Sequence, residues 1–347
     1  NKQPLKYEGK YSIFDVNKIK TYPVAGRTNK VKHSDLIFPD QVDNLELTIT
    51  DEVGDRINDL AKQIVSAREK GQPVIFFTGG HLIKNGLSLL LGELVKRDMF
   101  SMISGNGSTS IHDFELALIG ETSEYVPQAL EKGEFGMAYE FNYINAALSV
   151  GDKLNLGYGE AVGKMVCDSD FREKVAAFLG LQKGAIAFSY PELCVQAICY
   201  EQNVPFTVHA GIGTDVLDQH PYFDGRAKGG CSGRDFLIYA NEIAKFEKGG
   251  VILNVGSAVT GPEVFLKAAS MAGNIGCTPD KIITANFDLR SYNPEDFTTE
   301  DRLGYYYLDQ KSIVTRVPDA YNGKGYYIGG NQIHTFPALY RELLKLT

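Results

Sequence analysis

Glycines, histidines and acids at four places carry whatever chemistry this chain performs. TGGH (Thr78–His81), SGNGST (Ser104–Thr109) and VGSAVTG (Val255–Gly261) each follow an apolar run. Glycine lets backbone N–H groups come close to a ligand, and the N-terminus of a following helix adds partial positive charge that suits phosphate. One such turn is also ordinary strand-to-helix punctuation. Three in one chain point to a nucleotide or another anionic ligand, although no GxGxxG is present. The segment VHAGIGTDVLDQHP (Val208–Pro221) gathers His209, Asp215, Asp218 and His220. Asp215 is placed to bind a ribose hydroxyl or a substrate amine. The same His and Asp residues could bind a metal, but no HExxH-type spacing fixes a geometry, and a structural loop is the third reading. His112 and Asp113 follow the second glycine turn. Asp113 reads as a helix-start acid, and a neutral His112 can both donate and accept.

These residues need elements to position them. Val53, Ile57, Leu60 and Ile64 recur at helical steps and predict a helix that stops at Gly71. PVIFF (Pro73–Phe77), MFSMIS (Met99–Ser104), PFTVHA (Pro205–Ala210), GVILNVG (Gly250–Gly256) and KIITANF (Lys281–Phe287) read as strands. Helices are expected from the TGGH turn to about Arg97 and over Ile111–Gly120, Pro191–Gln202, Pro262–Ala272 and Pro337–Leu346. Strands alternating with helices imply an α/β fold, a Rossmann-like parallel sheet with helices on both faces. Residues 1–50 are polar and irregular and read as an N-terminal arm. Residues 51–347 read as one α/β domain.

Composition narrows the function classes. The net charge is −8, with 44% apolar and 22% charged residues among 347. Such a chain is globular, and it lacks the basic excess that nucleic-acid binding rests on. The longest apolar stretches, such as Leu87–Val95, are broken by Gly and Glu, so no membrane span is expected. The chain opens on Asn, which suggests a trimmed start, and no signal peptide is visible. The five cysteines show no CxxC and read as reduced thiols of a cytoplasmic protein. Tyr305-Tyr306-Tyr307 and Tyr326-Tyr327 read as interface material. The arm carries Tyr7, Tyr11, Ile13, Phe14, Leu36, Ile37 and Phe38 without a core of its own, so it should lie on its own subunit or a neighbour.

GGHLIKNG (Gly79–Gly86), followed by GNGSTSIHDFELALIG (Gly105–Gly120), resembles deoxyhypusine synthase. The later islands agree in order: Thr214-Asp215, the turn after GVILNVG, ITAN (Ile283–Asn286) and TFPAL (Thr335–Leu339). The resemblance implies a Rossmann-like fold, a homotetramer and NAD bound between subunits. It implies cofactor contacts at Gly80, His81, Asn85, Asn106, Gly107, Ser108, Gly256, Ser257, Thr284, Ala285, Asn331 and Gln332, with His112 and Asp215 beside them. The family oxidises spermidine and carries the aminobutyl group on a lysine of a W-G-K motif. This chain has no tryptophan, and Lys311 in YYYLDQKSIVTRV (Tyr305–Val317) is the nearest lysine. The family's K-H pair is also replaced, by Pro262 or Glu263. Both departures imply a different reaction on the same scaffold.

The leading expectation is an NAD-binding enzyme acting on a small polar, amine-type substrate, with His112, Asp215 and Lys311 as catalytic candidates and no metal. The alternatives are a metal-assisted hydrolase or lyase using His81, His112, His209 and His220, and a non-catalytic ligand-binding oligomer.

Overall fold

Val74 to Thr78 is buried along its whole length, as a strand covered on both faces must be. In the computed structural model, which describes residues 6–347, this strand belongs to a parallel sheet of six. The strands of the structure are β1 (Asn29–Val31), β2 (Val74–Thr78), β3 (Met102–Asn106), β4 (Thr122–Glu124), β5 (Phe206–His209), β6 (Gly250–Val255), β7 (Ile282–Asp288) and β8 (Lys324–Gly329). The sheet order is β5-β3-β2-β6-β7-β8, and β1 and β4 form a separate antiparallel ribbon. The chain winds outward from β2 through β3 to β5, returns to β6 beside β2, and winds outward again. The order therefore reverses between β2 and β6, and ligands bind at such a reversal in open α/β sheets.

The helices are α1 (Asp51–Glu69), α2 (Gly80–Lys84), α3 (Ser88–Lys96), α4 (Gly107–Ile119), α5 (Val126–Glu131), α6 (Phe141–Lys153), α7 (Tyr158–Cys167), α8 (Ser169–Phe178), α9 (Val195–Glu201), α10 (Gly225–Ile243), α11 (Thr260–Asn274), α12 (Val317–Ala320) and α13 (Gln332–Leu346). Strand alternation splits the core in two. Val74, Phe76, Val251 and Leu253 pack with α1 and α13 on one face. Ile75, Phe77 and Ile252 pack with Tyr239 and Ile243 of α10 and Phe265 of α11 on the other. No helix is long and apolar enough to cross a membrane among the described residues.

Several expectations are corrected. The strand expected at Met99–Ser104 sits at Met102–Asn106, and the helix expected from Pro337 begins at Gln332 with Pro337 inside it. Tyr326 and Tyr327 are buried in β8, an edge strand, rather than spread over an interface. Asp113 starts no helix. It is fully buried within α4 and accepts the N–H groups of Val195 and Gln196 at 2.8 and 2.9 Å, capping α9. The arm is divided: Leu36 and Val42 are buried on their own body, whereas Tyr11 and Phe14 are 72% and 71% exposed. Asn1–Leu5 of the arm lie outside the described residues.

Candidate functional site

The strand ends that flank the reversal are pressed together by glycines. Gly79 N–H and Thr78 Oγ1 donate to Val255 C=O at 3.2 and 3.1 Å, tying the end of β2 to β6. A Cβ on Gly79 would stand 2.4 Å from Gly256 C=O, so only glycine permits this approach. Gly80, at the start of α2, faces α4: its Cβ would stand 2.4 Å from Ser108 Oγ and 3.0 Å from His112 Cδ2. Gly107, the first residue of α4, has Asp215 against it, with Oδ2 2.1 Å from where a Cβ would be.

A cavity of about 270 Å³ opens here, lined by Arg27, Lys84, Ser108, His112, Glu115 and Asp215 among apolar walls that include Phe135 and Phe141. His112 is oriented by a relay. Thr122 Oγ1 donates its one proton to Glu115 Oε2, so it must accept from His112 Nδ1, 2.7 Å away. That leaves His112 Nε2 as the ring nitrogen outside the relay, the arrangement of a base held by a third group. Arg27 reaches in from the arm to pair with Glu115, and stands 3.9 Å from Glu124. Burial pushes the Glu115 carboxyl up, but the His112 hydrogen bond and the Arg27 charge outweigh it and hold Glu115 below the usual range. Asp215 is pushed up by burial against the opposing charge of Lys228, whose Nζ lies 2.7 Å from Oδ2.

A second cavity, of about 190 Å³, is lined by His81, Asn85, Gly256, Asp288, Asn331 and Gln332. Burial, with help from Lys84 and His112, lowers the pKa of His81.

The structure thus divides the sequence-derived candidates. Gly80, Gly107, Ser108, His112 and Asp215 meet at the first cavity, and His81, Asn85, Gly256, Asn331 and Gln332 at the second. Asn106 caps α4 by accepting from Thr109 N–H at 3.0 Å, and Ser257 Oγ accepts from Gly261 N–H at 2.9 Å at the start of α11. Thr284 and Ala285 are buried inside β7 and line neither cavity; Thr284 Oγ1 donates to Ile313 C=O. Lys311 also lines neither. It lies in a π-helical turn, Gln310–Arg316, with Nζ 3.6 Å from the Tyr305 ring centroid, and burial lowers its pKa. Asp309 does not pair with it: Asp309 accepts from Asn286 Nδ2 at 3.2 Å and binds Arg290.

The histidines of the metal reading do not converge. His209 is buried beside Phe77, with Nε2 3.1 Å from Thr207 Oγ1, and burial pushes its pKa down to about 3. His220 Nε2 is 2.7 Å from Gly136 C=O. Among the described residues no three His, Cys, Asp or Glu side chains form a metal-holding group.

Sequence reasoning missed Arg27, Glu115, Thr122 and Lys228. The spacing of His112 and Glu115 on one helix face was the only available signal.

No protein-family model and no curated protein matches the sequence. Several solved structures align with the chain at low similarity. ArgZ, an arginine dihydrolase from the ornithine–ammonia cycle in Cyanobacteria, aligns with a TM-score of 0.48 and 18% identity over 86% of this chain and 33% of its own. AgrE, in a ternary complex with ornithine and NAD+, aligns at 0.46 and 15% over 87% and 34%. A deoxyhypusine synthase candidate from Entamoeba histolytica aligns at 0.42 and 10% over 95% and 98%. The chain spans about a third of the length of ArgZ and AgrE. The chain's own six-stranded parallel sheet with helices on both faces makes it a Rossmann-like α/β protein.

Proposed function

We propose that the chain is an NAD-binding enzyme that acts on a small polar, amine-type substrate and is not a genuine deoxyhypusine synthase. The observation that carries this reading is the Asp215 carboxylate seated on Gly107 at the end of β3. In dinucleotide folds an acid at the end of the strand next to the first glycine turn accepts the ribose hydroxyls. Here that strand ends in Asn106, and Asp215 arrives from the loop after β5 to the same place. Close packing at Gly79, Gly80 and Gly107 brings Ser108, His112 and Asp215 to one cavity, and these polar groups fit the hydroxyls of the cofactor. Asp215 and Ser108 in the first cavity would hold one half of it, and Asn85, Asn331 and Gln332 in the second the other. NAD, when bound, would supply the hydride acceptor.

The remaining chemistry falls to this chain's own groups. His112 Nε2 takes a proton from the substrate nitrogen, and the Thr122–Glu115 relay keeps that nitrogen free and stabilises the ring as it gains charge. The Phe135 and Phe141 walls exclude water. Exposed Ile212, Val259 and Leu289, which follow the ends of β5, β6 and β7, suit closure by a second copy, so the active species is a homo-oligomer, a tetramer by preference. Calorimetric titration of the purified protein with NAD tests the reading. Saturable heat supports it, and absence of both heat and thermal shift at millimolar NAD overturns it.

A further inference from the structure

The strand β5 is an edge, and one stripe of α10 completes its hydrogen bonding. Lys228, Ser232 and Asp235 are four and three residues apart and so share a helix face. Asp235 Oδ2 accepts from Val208 N–H at 2.7 Å and from Gly159 N–H at 3.1 Å. Ser232 Oγ donates to Val208 C=O at 2.7 Å and accepts from Ala210 N–H at 3.1 Å. Lys228 Nζ donates to Gly211 C=O at 2.8 Å. The three side chains thus take up backbone groups from Val208 to Gly211 as a neighbouring strand would.

The stripe continues beyond the strand. Lys228 Nζ also donates to Asp215 Oδ2 and Asp218 Oδ1, both at 2.7 Å. Asp218 Oδ2 in turn accepts from Gly213 N–H at 2.7 Å. Between β5 and Asp215 lies Gly211-Ile212-Gly213-Thr214, an exposed run outside any helix or strand, with Gly213 at φ +82°. Lys228 is 1% exposed, and its three protons are all spent on these three bonds. It therefore has no donor left for a ligand.

We infer that Lys228 is the positioning residue of the candidate site: with Ser232 and Asp235 it acts as a surrogate strand that carries the Gly211–Asp218 loop and seats Asp215 on Gly107. The inference rests on the proposed ribose role of Asp215 for its functional consequence, but not for its structural one. The groups facing Asp215 are Lys228 from α10, Asp218 from its own loop and Tyr158 from α7. Across the cavity stand Lys84 and His112, with Glu115, Arg27 and Glu124 behind them. Without Lys228 the nearest of these charges is Asp218, a like charge.

The test uses full-length protein carrying Lys228→Met, and the same change combined with Asp218→Asn. Amide hydrogen exchange of residues 210–218, the carbon-13 titration of the Asp215 carboxyl and NAD affinity are measured on each. In Lys228→Met, exchange of residues 210–218 should rise about tenfold while β2 and β6 keep their protection. The Asp215 midpoint should rise by about one pH unit, and NAD affinity should fall about tenfold. The double variant should recover most of the midpoint shift but not the loop protection, a split that general loss of packing does not produce. Should Lys228→Met not fold, Ser232→Ala removes two of the backbone bonds without touching a charge and should loosen the same segment. A folded variant with unchanged exchange and an unchanged Asp215 midpoint overturns the inference. If wild-type protein shows no NAD heat, the proposed function fails, while the exchange and titration measurements still decide the role of Lys228.

Discussion

Arg27→Met removes the cation that fastens the arm to the body of the protein. The Arg27 and Glu115 side chains are each 3% exposed, and Glu124 is 7% exposed. Arg27 Nε also donates to Asn29 Oδ1 at 2.8 Å, so the guanidinium spans the ribbon and α4. At an effective dielectric constant of about 20, charges at the 3.9 Å separation of Arg27 and Glu124 attract by about 4 kcal/mol, and the closer Glu115 contact is stronger. Removing one partner of a buried pair costs about 3–5 kcal/mol, because the remaining carboxylates stay desolvated without compensation. Set against a total of about 5–15 kcal/mol for a domain, that is a large share of stability. Urea unfolding with the m-value held constant measures it. Adding Glu115→Gln should return part of the loss, with a coupling energy of about 2 kcal/mol. The Glu115 carboxyl is held below its usual range, so its contribution is present above the unfolded-state pKa and lost as pH falls through the folded one. The penalty of Arg27→Met should therefore shrink in acid. A penalty below about 1 kcal/mol at neutral pH would show that the pair does not fasten the arm.

Three further outcomes are expected. Gly107→Ala places a methyl where Asp215 Oδ2 now lies, so NAD affinity measured by calorimetry should fall about tenfold and urea stability should fall by about 1–3 kcal/mol; unchanged affinity would remove Asp215 from the site. Burial pushes the Asp235 carboxyl up to about 7, so the folded chain binds an extra proton between the unfolded-state pKa and that value, and stability from this group falls as pH rises across the interval. Asp235→Asn should flatten the pH dependence of thermal unfolding there, and an unaltered slope would count against the buried carboxyl. Incubation with spermidine, NAD and borohydride should leave no adduct on Lys311 by mass spectrometry, since Lys311 lines neither cavity; a trapped adduct would make the protein a genuine deoxyhypusine synthase in chemistry.

The parallel strands β2, β6 and β7 were legible because burial on both faces leaves a continuous apolar run in the sequence. Strand β8 was not, since Tyr326 and Tyr327 stand between glycines at an edge and form no aliphatic run. Helix α6 is buried nearly all round, so no polar face marks its period, and α10 holds four glycines that tertiary contacts override. The glycines of the site were legible because a missing side chain is itself a signal. The charged partners were not. Arg27 meets Glu115 across 88 residues, and Lys228 finds Asp215 and Asp218 only once α10 lies along β5. Asp113 shows the same limit: its place near a helix start suggested a cap for its own helix, while the fold gives it to α9.

The central claim is that Asp215, seated on Gly107, reads a ribose hydroxyl. Calorimetric affinities for NAD and NADP on wild-type protein and on Asp215→Asn test it most directly. A carboxylate at that place repels a 2′-phosphate, so the account predicts that wild-type protein prefers NAD by about a hundredfold. Asp215→Asn should weaken NAD and narrow that preference to about tenfold or less. Equal affinities of wild-type protein for the two cofactors, or a preference that survives Asp215→Asn unchanged, would contradict it.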